Sequence, residues 1–500
     1  MTPIRSVSTC RAAVRLVAAA IAAIGFPLES LAQGYGAPLT MQGLDRTTMH
    51  SSASRALGGT TLGLTADVSL MFANPSLLSQ LQGIQAWVGS ARYSSSAQQV
   101  QHYAPLKYYS NFSLLMEGLT GYIPDPDTSL PGINAGDTVQ RPYDTLGPNW
   151  ARSRSRTLPV QVMLGVPFAI GDIRLAVAAG VVEYADMNDY YQNNNVLTPS
   201  ILSNRPLPTP RPPNDSIPTI VRWWQNIRSR EGYLRGYGGA VAASLSDQFS
   251  FGVSGMLVRG TTDDFEQQLS RGRMTFFTNF FRLDSVYGKI THVGTSDFTG
   301  AELSLAATYR TRTLAVGFVA KPPATFTREF SLRQIVDTSG TAAANVITGK
   351  DKIRLPWRGT LGLAIIPEQH LMLGIEYEIR SFVSAVYTDA TGLRSNPWRS
   401  ATVFHFGAQY TPADWLTVRI GLRDQAEVFE PEGNPLVGEP VVSTVYAAGI
   451  GFRFSGLRLN VTYEFVKLKY EDVWGSAVSF NSDRRHTISA DVAYELPSLW

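Results

Sequence analysis

The sequence predicts an all-β protein: an antiparallel transmembrane β-barrel of about 14 strands with an N-terminal plug inside its lumen. Three observations predict it. Apolar residues alternate with polar or tiny ones at period two over strand-length segments. The connections between these segments are short and long in strict alternation. After the first 32 residues there is no run of about 18 apolar residues, which excludes a helical membrane protein. Composition agrees, with 44% apolar residues, only 17% charged, 11% aromatic and 43 glycines among 500 residues. Low charge with abundant glycine and aromatics fits a surface that meets lipid.

Residues 1–32 read as a signal peptide. Arg5, Arg11 and Arg15 form a basic start, Leu16 to Phe26 is an apolar stretch too short to span a bilayer, and Ser30-Leu31-Ala32 offers a small-residue cleavage site. Arg5, Arg11, Arg15 and Glu29 are the charges of this leader, so its removal lowers the formal net charge from +3 to +1. The basic balance therefore carries no nucleic-acid message. Cys10 lies in the leader and is the sole cysteine of the sequence, so the exported chain is expected to hold no disulfide and no thiolate metal site.

Residues 33–82 are expected to form the plug, or hatch. Ala53 to Leu78 is rich in Gly, Ala, Ser and Thr. It has too few large apolar residues for a core of its own and too many for a free linker. Its candidate plug residues are Arg55, Gly58, Gly59, Asp67, Phe72, Asn74 and Pro75. At Asn74-Pro75 the proline removes a donor and the asparagine is expected to cap the turn, marking where the plug stops.

Residues 83–500 are expected to form the barrel. In Leu457–Phe465 the odd positions are Leu, Leu, Val, Tyr and Phe, and the even ones are Arg458, Asn460, Thr462 and Glu464. Leu371–Ile379 alternates in the same way against Met372, Gly374, Glu376 and Glu378. A lipid-facing apolar row beside a lumen-facing polar or small row is the barrel signature. The predicted strands are 84–96, 157–169, 172–185, 232–246, 248–260, 298–310, 312–322, 351–366, 368–382, 398–412, 414–427, 440–454, 456–470 and 484–496. Short joints fall at Ile170-Gly171, Asp247, Thr311, Pro367, Pro412-Ala413 and Ser455. Long segments fall at 97–156, 187–231, 261–297, 323–350, 383–397, 428–439 and 471–483. Short periplasmic turns and long outer loops sort in this way in outer-membrane barrels.

With these features in hand, the chain resembles the FadL-like family of outer-membrane transporters for hydrophobic compounds. The resemblance is carried by Arg55-Ala56-Leu57-Gly58-Gly59-Thr60, Gly63, Asp67 and Met71-Phe72-Ala73-Asn74-Pro75, which follow the family's glycine-rich hatch. Ser76 stands where the family has Ala. Weaker echoes are Gly236-Tyr237-Gly238-Gly239, Arg354-Leu355-Pro356-Trp357, Phe406-Gly407-Ala408-Gln409-Tyr410 and Val418-Arg419-Ile420-Gly421. The resemblance implies passive uptake of long-chain fatty acids or other hydrophobic small molecules. Substrate would be caught on outer loops, passed to a site beside the plug and released sideways through a kinked strand. No cofactor is implied. The expected surroundings are outer-membrane lipid and lipopolysaccharide, with no nucleic-acid partner and a monomeric barrel.

Candidate substrate contacts are apolar residues in the long segments: Leu114, Leu115, Met116, Trp223, Trp224, Phe276 and Phe277. Exposed apolar patches of this kind mark binding or membrane contact, or pack on one another as a cap. Arg419 and Arg458 are candidates for gripping a carboxylate, since a guanidinium fork holds two oxygens. They belong to a lumen-facing set with Glu376, Glu378, Arg380, Arg423 and Glu464, which equally reads as a structural ion-pair ladder. Gly180 is the candidate gate, because glycine tolerates the torsions of a kink or bulge.

Enzyme signatures are lacking. The sequence has no His-Glu-x-x-His, no Gly-x-Ser-x-Gly and no phosphate loop, and its histidines (His50, His102, His292, His370, His405, His486) fall singly. Two rivals to a transporter stand beside it: a plugged-barrel scaffold in outer-membrane protein export, and a porin for polar solutes.

Overall fold

The computed structural model describes residues 39–64, 67–103, 146–147, 149–198, 215–284, 288–338, 341–368, 370–396, 398–428, 441–474 and 477–496. Strand segments separated by breaks of two or three residues lie on one path, and joining them gives fourteen strands. They are β1 (Ile84–Tyr103), β2 (Trp150–Thr157, then Gln161–Ile170), β3 (Ile173–Asp186, then Asp189–Thr198), β4 (Thr219–Ser244) and β5 (Phe249–Phe276). Then come β6 (Lys289–Arg310), β7 (Leu314–Lys321, then Ala324–Thr338), β8 (Thr341–Leu355, then Arg358–Glu368) and β9 (Leu371–Arg380). The last five are β10 (Ala401–Ala413), β11 (Leu416–Ala426), β12 (Val442–Phe454), β13 (Leu457–Trp474) and β14 (Ala477–Leu496).

Each strand pairs antiparallel with its neighbour, and β1 closes the ring against β14 from Ile84↔Leu496 to Tyr103↔Ala477. In the short-turn half closure leaves no open edge, which a lipid environment requires because it offers no partner for a free backbone amide. The outer row of each strand is apolar and exposed, as at Leu373, Ile375, Tyr377 and Ile379 of β9. Near the short turns Trp415, Phe452 and Phe454 stack on one another at 6.3 Å between centroids, an aromatic rim at the membrane boundary.

The barrel reaches further outward than the period-two signal. β4 and β5 extend to Thr219 and Phe276, so Trp223, Trp224 and Phe276 lie in strands and not in the loops expected for them. The reason is visible in Arg259–Arg273, where both faces are mostly polar and alternation has nothing to contrast. Phe277 follows directly and stacks on Phe280 at 4.4 Å, at the tip of the β5 hairpin. Leu114, Leu115 and Met116, like residues 1–32, lie outside the described residues.

The plug fills the short-turn half of the lumen. Its described residues form one helix, α1 (Ser52–Ala56), and two 3-10 turns, Val68–Leu70 and Pro75–Gln80. Ser51 caps α1 by accepting from the Ser54 amide. Leu57, Leu62, Leu70, Met71, Leu77 and Leu78 are buried between plug and wall. The wall makes room with glycine. A Cβ on Gly407 would come within 2.5 Å of the Leu57 carbonyl oxygen, and one on Gly449 within 2.6 Å of the Ala56 Cβ.

Candidate functional site

Gly58 and Gly59 turn the plug with φ of +65° and +97°, a region that side chains rarely adopt. The turn carries Thr61 and Leu62 onto the wall. There Glu376 Oε1 accepts from the Thr61 amide, from the Thr61 hydroxyl at 3.0 Å and from the Leu62 amide at 3.0 Å. The His405 Nδ1 lies 2.8 Å from the Gly58 carbonyl oxygen. Arg55 is the deepest anchor. Its Nη1 donates to Glu464 at 2.7 Å, its Nη2 to the Tyr93 hydroxyl at 2.6 Å, and its Nε to the Met49 carbonyl at 2.9 Å. Arg423 binds the other Glu464 oxygen. Both side chains of the Arg55–Glu464 pair are 4% exposed, so losing either leaves a buried charge, at a cost of about 3–5 kcal/mol.

Asp67 caps the first 3-10 turn, accepting from Ser69 N at 2.9 Å and Ser69 Oγ at 2.7 Å. Asn74 departs from its expected cap: its Oδ1 accepts from the Ser76 hydroxyl at 2.7 Å and bonds no backbone amide. Pro75 opens the second 3-10 turn, so the plug continues past it to Gln80 before β1 begins at Ile84. Phe72 meets His50 edge-on, with centroids 6.0 Å apart.

Above the plug lies a chamber of about 480 Å³. His50, Arg55 and Phe72 form part of its floor, and Tyr93, Arg152, Tyr184, Asp186, Tyr190, Glu378 and Arg380 part of its walls. Its charges are largely paired: Arg380 grips Glu378 with two bonds of 2.9 Å, which is the ion-pair reading of the lumen set. In the plug itself, burial lowers the His50 imidazole to about 4 and raises the Asp45 carboxyl above its usual range. Arg419 and Arg458 do not line this chamber. They sit near the short turns, where Arg419 bonds Gln409 at 2.8 Å and Asn460 at 3.0 Å, so the two arginines are not brought together with the outer apolar candidates.

Gly180 is not a kink. It pairs in regular register with Met163 on one side and Gly238 on the other. The irregularity comes later in β3, where the register with β4 shifts between Glu183 and Ala185 and leaves Tyr184 as the extra residue of a bulge. At the same height the β2–β3 ladder ends, at Val162↔Val181. Beyond it the outer segment of β2 pairs with β1 alone, and that of β3 with β4. Among the described residues this seam is bridged by side chains. Arg156 binds Glu183 and also Asp186 at 3.1 Å, and its guanidinium lies 4.9 Å from the centre of the Tyr233 ring. Arg152 lies 4.1 Å from the Tyr190 ring centre, a second cation–π contact.

The plug is bonded to this same bulge. Thr48 N donates to the Tyr184 carbonyl at 2.9 Å, Asp186 N to the Arg46 carbonyl at 3.2 Å, and the Thr48 hydroxyl to Glu183 at 3.2 Å. Sequence reasoning missed the arginines of the seam. The signal was there, in Arg152-Ser153-Arg154-Ser155-Arg156, whose spacing of two puts three guanidinium groups on one face of a strand.

The architecture has close counterparts among solved structures. A FadL homologue of Pseudomonas aeruginosa superposes with a TM-score of 0.56 at 14% identity, covering 92% of this chain and 99% of that one. The toluene transporter TodX of Pseudomonas putida gives 0.52 at 14% identity, covering 90% and 99%. The monoaromatic hydrocarbon channel CymD gives 0.50 at 12% identity, covering 91% and 99%. No family model and no curated protein matches the sequence. Strand number, closure and the plug thus establish that this chain has the FadL-like plugged-barrel fold.

Proposed function

We propose that the protein is an outer-membrane channel for passive uptake of hydrophobic small molecules, long-chain fatty acids foremost. The observation that carries this reading is the coincidence of three features at one height. The plug closes the way straight through, a chamber lies on top of it, and the wall beside the chamber lacks its backbone ladder between β2 and β3. A molecule entering from outside meets a closed floor and a wall held by side chains, so the route of least resistance runs sideways into the membrane. Similarity of fold to hydrocarbon channels supports the same reading. The chamber's polar, charge-paired lining favours an amphiphile, whose head can exchange with these ion pairs, over a bare hydrocarbon.

Uptake of a fluorescent long-chain fatty acid by cells with and without the gene tests it. Faster uptake in the presence of the gene is expected, and equal uptake overturns the proposal. The export-scaffold alternative predicts a stably co-purifying protein partner and no change in lipid uptake.

A further inference from the structure

The outer wall carries a group of like charges that the uptake route does not use. On β13 the lipid-facing row runs Val461, Tyr463, Phe465, Lys467, Lys469, from apolar through aromatic to cationic. On β14 the matching row runs Ile488, His486, Arg484. Lys467 stands directly opposite Arg484 in the ladder, and Phe465 opposite His486. Lys467, Lys469 and Arg484 are all exposed. Two cations facing each other across a strand pair repel and weaken the sheet. Among the described residues none of the three has a carboxylate partner.

The lower boundary of this patch is equally defined. His486 Nδ1 lies 2.7 Å from the Tyr463 hydroxyl, and its ring centre lies 5.1 Å from that of Phe465. Tyr463 and Ile488 below it are exposed on the lipid-facing belt. Aromatic residues at the headgroup level, with cations just beyond them, are the order in which a barrel meets the polar edge of a bilayer. The patch lies toward the long-loop end, remote from the short β12–β13 turn at Ser455. Another outward column, Lys350, Lys352 and Arg354 on β8, differs in having a carboxylate at hand: Lys350 donates to Glu329 at 2.7 Å. In the β13–β14 patch no described residue pairs a carboxylate with Lys467, Lys469 or Arg484; Glu471, the next outward residue of the row, lies beyond Lys469 and opposite Phe480.

We propose that Lys467, Lys469 and Arg484 form a docking site for the phosphate of an anionic outer-leaflet lipid, with its acyl chains lying down the Tyr463–Ile488 face. The phosphate supplies the missing countercharge, and the belt below supplies the apolar contact that holds the rest of the molecule. The Ser96 hydroxyl, opposite Arg484 on the β1 side, adds a hydrogen-bonding group beside the cations. The site depends on the barrel standing in a membrane and not on what the barrel transports, so failure of fatty-acid uptake leaves it untouched.

Native mass spectrometry of the full exported protein in detergent tests the site, with bisphosphorylated lipid A and its dephosphorylated form as probes. The expected result is retention of the phosphorylated lipid at roughly tenfold lower concentration than the dephosphorylated one. Lys467→Gln with Arg484→Gln should remove that preference. Arg174→Gln with Arg453→Gln, at the short-turn end, should keep it. Heat-modifiable migration of every variant verifies that the barrels are folded. Equal retention of both lipids by the wild type, or an unchanged preference in the Lys467/Arg484 variant, overturns the site. Displacement of the lipid by an equal concentration of inorganic phosphate overturns the lipid as its occupant.

Discussion

The two halves of the barrel solve the same problem of enclosure by different forces. In the short-turn half the backbone ladder is continuous around the ring, and the lumen is filled by a plug pressed against glycine-lined strands. In the outer half the ladder is interrupted at β2, β3, β7 and β8, with Pro159, Pro322, Pro323 and Pro356 in or at the breaks. At the β2–β3 break side chains take the ladder's place, with Arg156 reaching Glu183 and Asp186, and elsewhere in this half buried ions add to a ladder that persists. Arg230 meets Asp264 with two bonds of 2.7 Å and also reaches the Thr40 carbonyl of the plug at 2.8 Å, while Arg328 bridges Asp264 and Asp351. A continuous ladder gives way only as a whole. Side-chain bridges can open singly, so the difference assigns permanence to one half and adjustability to the other.

The strongest way to break this comparison is to remove the plug. Deletion of residues 39–78 should convert a closed barrel into an open pore, read as steady single-channel conductance in a planar bilayer. A closed pore after deletion would mean that the outer half alone seals the lumen. Next in size is Glu464→Gln, which leaves the Arg55 and Arg423 guanidinium groups without their shared carboxylate. Plug docking should weaken by about 3–5 kcal/mol, and conductance bursts should appear at lower urea than in the wild type.

A smaller effect is expected at the seam. Glu183→Gln removes the carboxylate that Arg156 and Thr48 share across the β2–β3 gap, a loss of about 2 kcal/mol. Spin labels on either side of the gap should show a broader distance distribution, whereas labels across the continuous β9–β10 ladder should not change. An identical response at the two places would erase the distinction drawn between the halves.

The smallest expected effect is on pH. Burial lowers His50 to about 4 in the docked plug, and a free imidazole titrates near 6.5. Within this window the undocked plug binds the extra proton, so this contribution to docking is complete above pH 6.5 and is lost as pH falls toward 4. Closed-state dwell times should shorten over that window, and His50→Gln should remove the dependence.

Much of the fold was legible because lipid and lumen impose opposite demands on alternate residues. Leu371–Ile379 and Leu457–Phe465 show the contrast in every step, and both are strands as expected. The signal faded where neither face meets lipid, so the outer reaches of β4 and β5 read as loops, and the Arg152–Arg156 ladder was passed over. For the candidate site, Arg55 and Glu464 were each picked out for their chemistry. Their partnership spans 409 positions of sequence and follows only from the closed ring. Gly180 was proposed because glycine in the third strand tolerates a kink, but strand geometry puts the bulge of that strand at Tyr184, where no special residue type announces it.

The fit between Ala56 and Gly449 has a consequence for how such a protein can change over generations. Wall and plug form a cast and its mould, and neither surface is free to drift by itself. A methyl at Gly449 would lie 2.6 Å from the Ala56 Cβ and 2.7 Å from the Thr462 hydroxyl oxygen, which is itself bonded to the Ser52 carbonyl, so Ala56→Gly relieves only part of the clash of Gly449→Ala and the fit returns only when plug and wall change together. Ancestry therefore acts on matched pairs far apart in the chain, and a hatch borrowed from a distant relative would arrive without the hollows cut to receive it.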